Sequence, residues 1–153
     1  MKKMAFIVLL ALVSAVLFAQ IGAGVKLYGE SYGLLVQLRG GNTAVELSGT
    51  YGSSSLEAEE VKAYGIFLSG KYYLPLNDFF ELYAAAGIVY LGGSVEGTSI
   101  NMLGTDSALG IELGLGSIPV KFFLSLDVIQ LMVLGYDVTI PGLSYQLGVR
   151  YDF

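Results

Sequence analysis

Histidine and cysteine are both missing from this 153-residue chain. Without them no Ser–His or Cys–His nucleophile and no histidine-ligated metal centre can be assembled. Nor can a disulfide form, and no cysteine is present to carry a lipid anchor. Basic residues are also scarce: 8 Lys and Arg stand against 13 Asp and Glu. So acidic a balance argues against nucleic acid, whose phosphates it would repel. Past residue 19 there is no apolar run long enough for a membrane helix, although 54% of the chain is hydrophobic. Apolar residues are plentiful but dispersed, and their spacing carries the information.

The single long apolar run is at the start. Met1-Lys2-Lys3 precedes an uncharged stretch from Met4 to Ala19. A short basic segment, an apolar core and a small residue are the parts of a secretory signal peptide. The run is short for a spanning helix, which needs ~20 apolar residues. Residues 1–19 are therefore expected to be a leader cleaved before Gln20, and 20–153 one domain. Cleavage removes two lysines and leaves 6 basic against 13 acidic residues.

Alternation pervades what remains. From Ser144 onward, Tyr145, Leu147, Val149, Tyr151 and Phe153 fall on one parity, against Ser144, Gln146, Gly148, Arg150 and Asp152. Successive side chains of a strand point to opposite faces, so one face is apolar and the other polar or glycine. The same split separates Leu109, Ile111, Leu113 and Leu115 from Ala108, Gly110, Glu112 and Gly114. It recurs in Phe122–Val128, Tyr64–Tyr73, Phe80–Tyr90, Val45–Tyr51 and Leu34–Arg39, where Leu35 is an exception on the polar parity. A weaker segment spans Ile21 to Leu27. Eight strands of about ten residues follow, each spanning ~25 Å when tilted in a barrel. The predicted fold is all-β: an eight-stranded antiparallel up-and-down transmembrane barrel, closed because an open edge in hydrocarbon would leave backbone groups unpaired.

The connections alternate as well. Short turns are expected at Gly40-Gly41-Asn42, Pro75–Phe79 and Gly116–Pro119. Longer polar or glycine-rich loops are expected at Ser53–Val61, Gly92–Ser107 and Leu131–Gly142. Short periplasmic turns with longer outer loops are the asymmetry of outer-membrane barrels.

A soluble barrel would point its apolar parity inward, so the faces have to be assigned. Tyr51, Tyr64, Tyr90 and Tyr145 fall at one set of strand ends, and Tyr72, Phe80, Phe122, Tyr151 and Phe153 at the other. Two aromatic belts match the two interfaces of a bilayer. The polar parity is rich in small residues, as the crowded interior of eight strands requires. Its charges are Lys26, Arg39, Lys71, Lys121 and Arg150 against Glu46, Glu81, Glu112, Asp127 and Asp152, five of each sign. These ten are expected to form an ion-paired lumen core, with Arg39–Glu46, Lys71–Glu81 and Lys121–Asp152 paired across neighbouring strands. An unpaired charge there would cost several kcal/mol. The competing expectation is a charged narrow pore, which inward Phe67, Tyr73, Tyr83 and Phe123 oppose.

The last eight residues, Gln146-Leu-Gly148-Val-Arg-Tyr151-Asp-Phe153, resemble the outer-membrane insertion signal: a polar residue, a glycine, then aromatic or apolar positions ending on Phe. With the leader and the strand pattern, the chain resembles the small OmpA/OmpX-type barrels over its mature length. That resemblance implies a bacterial outer-membrane location, reached through the periplasm, with membrane lipid as surroundings. It also implies that Gln146, Gly148, Tyr151 and Phe153 are read by the barrel-assembly machinery. Enzymes among small outer-membrane barrels, such as lipid A acyltransferases and deacylases, depend on a catalytic histidine absent here. A lipid-modifying enzyme is thus a distant third expectation. No catalytic residue, cofactor or dedicated metal site is assigned. The outer connections hold Glu57, Glu59, Glu60, Glu96, Asp106 and Asp137, an acidic set suited to divalent cations or a surface partner, or simply a solvated rim.

Overall fold

A computed structural model of the chain describes residues 19–56, 59–95, 98–136 and 138–153, with backbone alone at 54–56, 59–61 and 95. The expected leader lies outside this range except for Ala19. Eight strands run in order: β1 (Gln20–Tyr28), β2 (Ser31–Gly40), β3 (Thr43–Leu56), β4 (Glu59–Pro75), β5 (Phe80–Val95), β6 (Thr98–Leu115), β7 (Ile118–Val133) and β8 (Thr139–Asp152). Each pairs antiparallel with the next, and β1 pairs with β8 to close the barrel. Closure gives every strand a partner on both sides at mid-height, which is the condition for placing a sheet in hydrocarbon.

Turn chemistry sets the hairpins. Gly29, Gly41 and Gly116 have φ of 56°, 61° and 65°, the left-handed region that favours glycine in two-residue turns. The β4–β5 turn instead uses Asn77, whose side-chain oxygen accepts from the backbone N–H of Phe79 and Phe80, both at 2.9 Å.

Most of the described residues expected in long outer loops belong to strands instead. The ladder continues through Ser55↔Glu60 between β3 and β4, through Val95↔Thr98 between β5 and β6, and to Met132↔Thr139 between β7 and β8. Polar and glycine-rich residues suggest a loop there because the apolar parity lapses. Beyond the lipid band a hairpin needs only its backbone ladder, not an apolar face. The last six strands therefore run 14 to 18 residues, roughly 35–45 Å along the axis at a typical tilt. By contrast, β1 and β2 have 9 and 10 residues, enough to cross the hydrocarbon and little more.

Parity decides the faces. Leu34 and Leu109 are 69% and 71% exposed on the outside, while charged residues of the opposite parity are buried within. This inverts a soluble barrel. Leu35, the one apolar residue out of step in its segment, is buried and packs against Tyr73, Tyr83, Phe123 and Ala44.

Candidate functional site: the filled lumen

Inward side chains form four tiers along the axis, ordered the same way on every strand that contributes to them. Nearest the end where β1 begins and β8 stops is an ionic tier of Arg39, Glu81, Glu112, Lys121, Arg150 and Asp152. Arg39 forms a two-pronged bridge to Glu81, with contacts of 2.7 and 2.6 Å. Lys121 reaches Glu81 at 2.9 Å and Glu112 at 3.2 Å. Arg150 grips Glu112 at 2.9 and 3.0 Å and also Asp152 at 2.5 Å. Three cations meet three anions in one connected network, so no charge is left over.

Next comes an apolar tier of Leu35, Ala44, Tyr73, Tyr83 and Phe123. The Arg39 guanidinium lies 4.0 Å from the Tyr73 ring centre and Lys71 lies 4.8 Å from that of Tyr83, so cation–π contacts join this tier to both neighbours. Glycine makes the room. A Cβ on Gly148 would lie 2.3 Å from the Phe123 ring, and one on Gly110 would lie 2.4 Å from the Tyr83 ring.

Above it lies a second ionic tier. Glu46 accepts from Lys71 at 2.6 Å and Lys26 at 3.3 Å, and Lys26 also donates to the Gln146 carbonyl at 2.9 Å. The Gln146 amide donates in turn to Asp127 at 2.8 Å, and Ser125 donates to the same carboxylate. An apolar lid of Phe67, Val89 and Ile129, backed by Tyr28, Leu91 and Leu131, covers this tier. The cavity that remains within it offers about 10 Å³ to a water-sized particle, the space of a single water.

All ten charged residues expected inside lie on the inward face, yet none of the three expected pairs forms among the bridges seen. Arg39 binds Glu81 and Glu112, Lys71 binds Glu46, and Lys121 binds Glu81 and Glu112. The reason is geometric. The residue directly across from Arg39 on β3 is Ala44, and the one across from Lys71 on β5 is Ala85. Long side chains therefore reach diagonally to a neighbouring strand, as Lys71 does to Glu46 and Lys121 to Glu112, or across the narrow lumen, as Arg39 does to Glu81 three strands away.

Asp106 also departs from expectation. It was assigned to an outer connection, but it sits on β6 and is only 5% exposed. It shares the parity of Ala108, Gly110 and Glu112, and the ladder runs unbroken past it, so the inward face includes it. Among the described residues, five inward cations thus face six inward anions. Glu59 and Glu60 fall on β4 rather than in a loop. Glu57, Glu96 and Asp137 lie outside the described residues. Gln37, on the polar parity of β2 but uncharged and so outside the expected ion-paired set, belongs to this interior as well. It is buried and accepts from Arg150 at 2.8 Å, with the Tyr73 hydroxyl 3.1 Å away. Its polar parity between Leu35 and Arg39 was the available signal.

Of the four C-terminal signal positions, Tyr151 and Phe153 are exposed on the outside with ring centres 5.0 Å apart, and Gln146 is buried in the upper ionic tier. The Phe153 N–H donates to the Ile21 carbonyl at 2.7 Å, so the last residue fastens the seam between β8 and β1.

An eight-stranded closed barrel with an apolar exterior and a charged, filled interior is an outer-membrane β-barrel in class. Solved structures of that class are similar to it throughout. The neisserial surface protein A structure matches with a TM-score of 0.68 at 15% identity, covering 88% of this chain and 96% of that one. The N-terminal barrel domain of Pseudomonas aeruginosa OprF matches at 0.64 with 14% identity, covering 88% and 99%. Ail of Yersinia pestis, the attachment invasion locus protein, matches at 0.54 with 13% identity, covering 88% and 97%. No family model matches the sequence, and no curated protein is similar to it. The chain has the fold of the small eight-stranded outer-membrane barrels.

Proposed function

We propose that the chain is a non-enzymatic outer-membrane barrel whose filled interior serves stability and whose interactions take place at its outer rim. The observation that carries this reading is the lumen: two ionic tiers alternate with two apolar tiers, and only about 10 Å³ stays open to a water-sized particle in the upper ionic tier. A solute path would have to part both networks at once. In this reading the leader is removed at Ala19, and Tyr151 and Phe153 engage the assembly machinery as the last strand closes.

The rim supports a surface role. The β1–β2 hairpin ends at Tyr28 and Ser31, and its last link to β8 is the Gly29 N–H donating to the Tyr145 carbonyl. Past that level β3 pairs only with β4, and β8 only with β7, which leaves two sheet edges flanking a gap. Pro141 sits in the β8 edge, a residue that discourages strand addition there. The β3 edge has no proline. Together with Glu59 and Glu60 at the start of β4, and Glu57 close by in sequence, it suits an extended basic segment or a divalent cation at the cell surface.

Expression in a Gram-negative host tests the reading. The expected product sediments with outer membranes, has lost residues 1–19, and admits no small sugars when reconstituted in liposomes. Retention of the leader in the inner membrane, or sugar-dependent liposome swelling, would overturn it.

A further inference from the structure

The upper ionic tier contains one more negative charge than its own residues neutralise. Lys26 and Lys71 face Glu46, Asp106 and Asp127, and both ammonium groups are drawn onto Glu46. Asp127 is supported by neutral donors, the Gln146 amide and the Ser125 hydroxyl. Asp106 has nothing of the kind: its Oδ1 is buried without a hydrogen-bond partner. The lower ionic tier cannot supply a cation, because its charges already match and the Tyr73–Tyr83–Phe123 layer lies between. A lone carboxylate charge held between two apolar tiers is costly, and a water molecule would solvate it without neutralising it.

The same carboxylate lines the small cavity of this tier, beside Asp127, Ser125 and Ser69. The open volume, about 10 Å³, admits one water-sized particle. Glu46, Lys26 and Lys71 line it too, but both ammonium groups are engaged by Glu46, which leaves the Asp106 and Asp127 carboxylates and the serine hydroxyls as hard oxygen ligands suited to a hard cation. Charge chooses the valence: one positive charge balances the tier, whereas a divalent ion would overshoot. We propose that the interior binds one monovalent cation of sodium size between Asp106 and Asp127. The ion is enclosed as the barrel closes, with the Phe67–Val89–Ile129 lid above it. The proposal rests on the closed-interior reading.

The test compares thermal unfolding of the folded chain in detergent in sodium chloride and in N-methyl-D-glucamine chloride at equal ionic strength. Sodium is expected to raise the midpoint by roughly 3 °C or more in a saturable way. Asp106→Asn should unfold at one temperature in both salts, and no lower than the native chain does in the bulky cation. Asp127→Asn should lose the sodium response as well. Crystals of the native chain refolded in thallium(I), a heavy monovalent probe, should show an anomalous peak at the cavity, and a cavity without one would overturn the proposal. Equal midpoints for the native chain in both salts, or stabilisation by acid without a sodium effect, overturn the proposal; the second result would assign the missing charge to a proton. A barrel that proves conductive would instead fail the closed-interior reading, so the two failures are distinguishable.

Discussion

Glu46 shows at the residue scale how one side chain can hold a tier together. It is 2% exposed and receives both Lys26 and Lys71. Glu46→Gln would leave two ammonium groups with no anion bridged to them, and breaking a buried pair from one side typically costs about 3–5 kcal/mol. Urea unfolding in lipid vesicles should show a loss of that order; unchanged stability would contradict the paired interior. A second residue-scale prediction concerns volume rather than charge. Gly148→Ala places a methyl group 2.3 Å from the Phe123 ring and 2.6 Å from the Val25 carbonyl, so it should destabilise by about 1–3 kcal/mol, and a simultaneous Phe123→Leu should recover part of that loss. The inward identity of nearly every residue was legible from parity alone. Who bonds to whom was not, because partners across a lumen depend on the stagger and tilt of closure, which no local pattern encodes. Asp106 was misplaced for a related reason: its parity was inward, but the glycine-rich stretch around it resembled a loop.

At the scale of elements, the sequence showed how many strands there are and where the turns at the terminal end fall. It did not show where the strands stop. Apolar alternation is imposed by lipid, so it marks the length of strand inside the membrane and falls silent above it. Two consequences can be measured. Leu109, exposed in the middle of β6 between Ala84 and Leu126, lies in the lipid band, so Leu109→Arg should cost about 2–4 kcal/mol of folding free energy in vesicles. Conversely, the tip of the β5–β6 hairpin lies above that band. Replacing residues 94–99 by Asn-Gly, which keeps the Gly93↔Ile100 pair, should leave the unfolding free energy within about 0.5 kcal/mol of native. Loss of the folded, heat-modifiable species on a gel would show that the tip is needed for folding.

The whole molecule is a cylinder whose inward face is largely occupied by contacts among its own side chains. Polar groups that would line a conduit are instead committed to one another: Arg150 alone contacts Gln37, Glu112 and Asp152. Short β1 and β2 beside six longer strands make the outer wall lopsided, with the β3 edge left open above them. The central claim is that the lumen is closed, and single-channel recording from the purified mature chain in planar bilayers tests it most directly. The native barrel should give no discrete, reproducible openings across a range of voltages; regular unitary currents from the native chain would contradict the account.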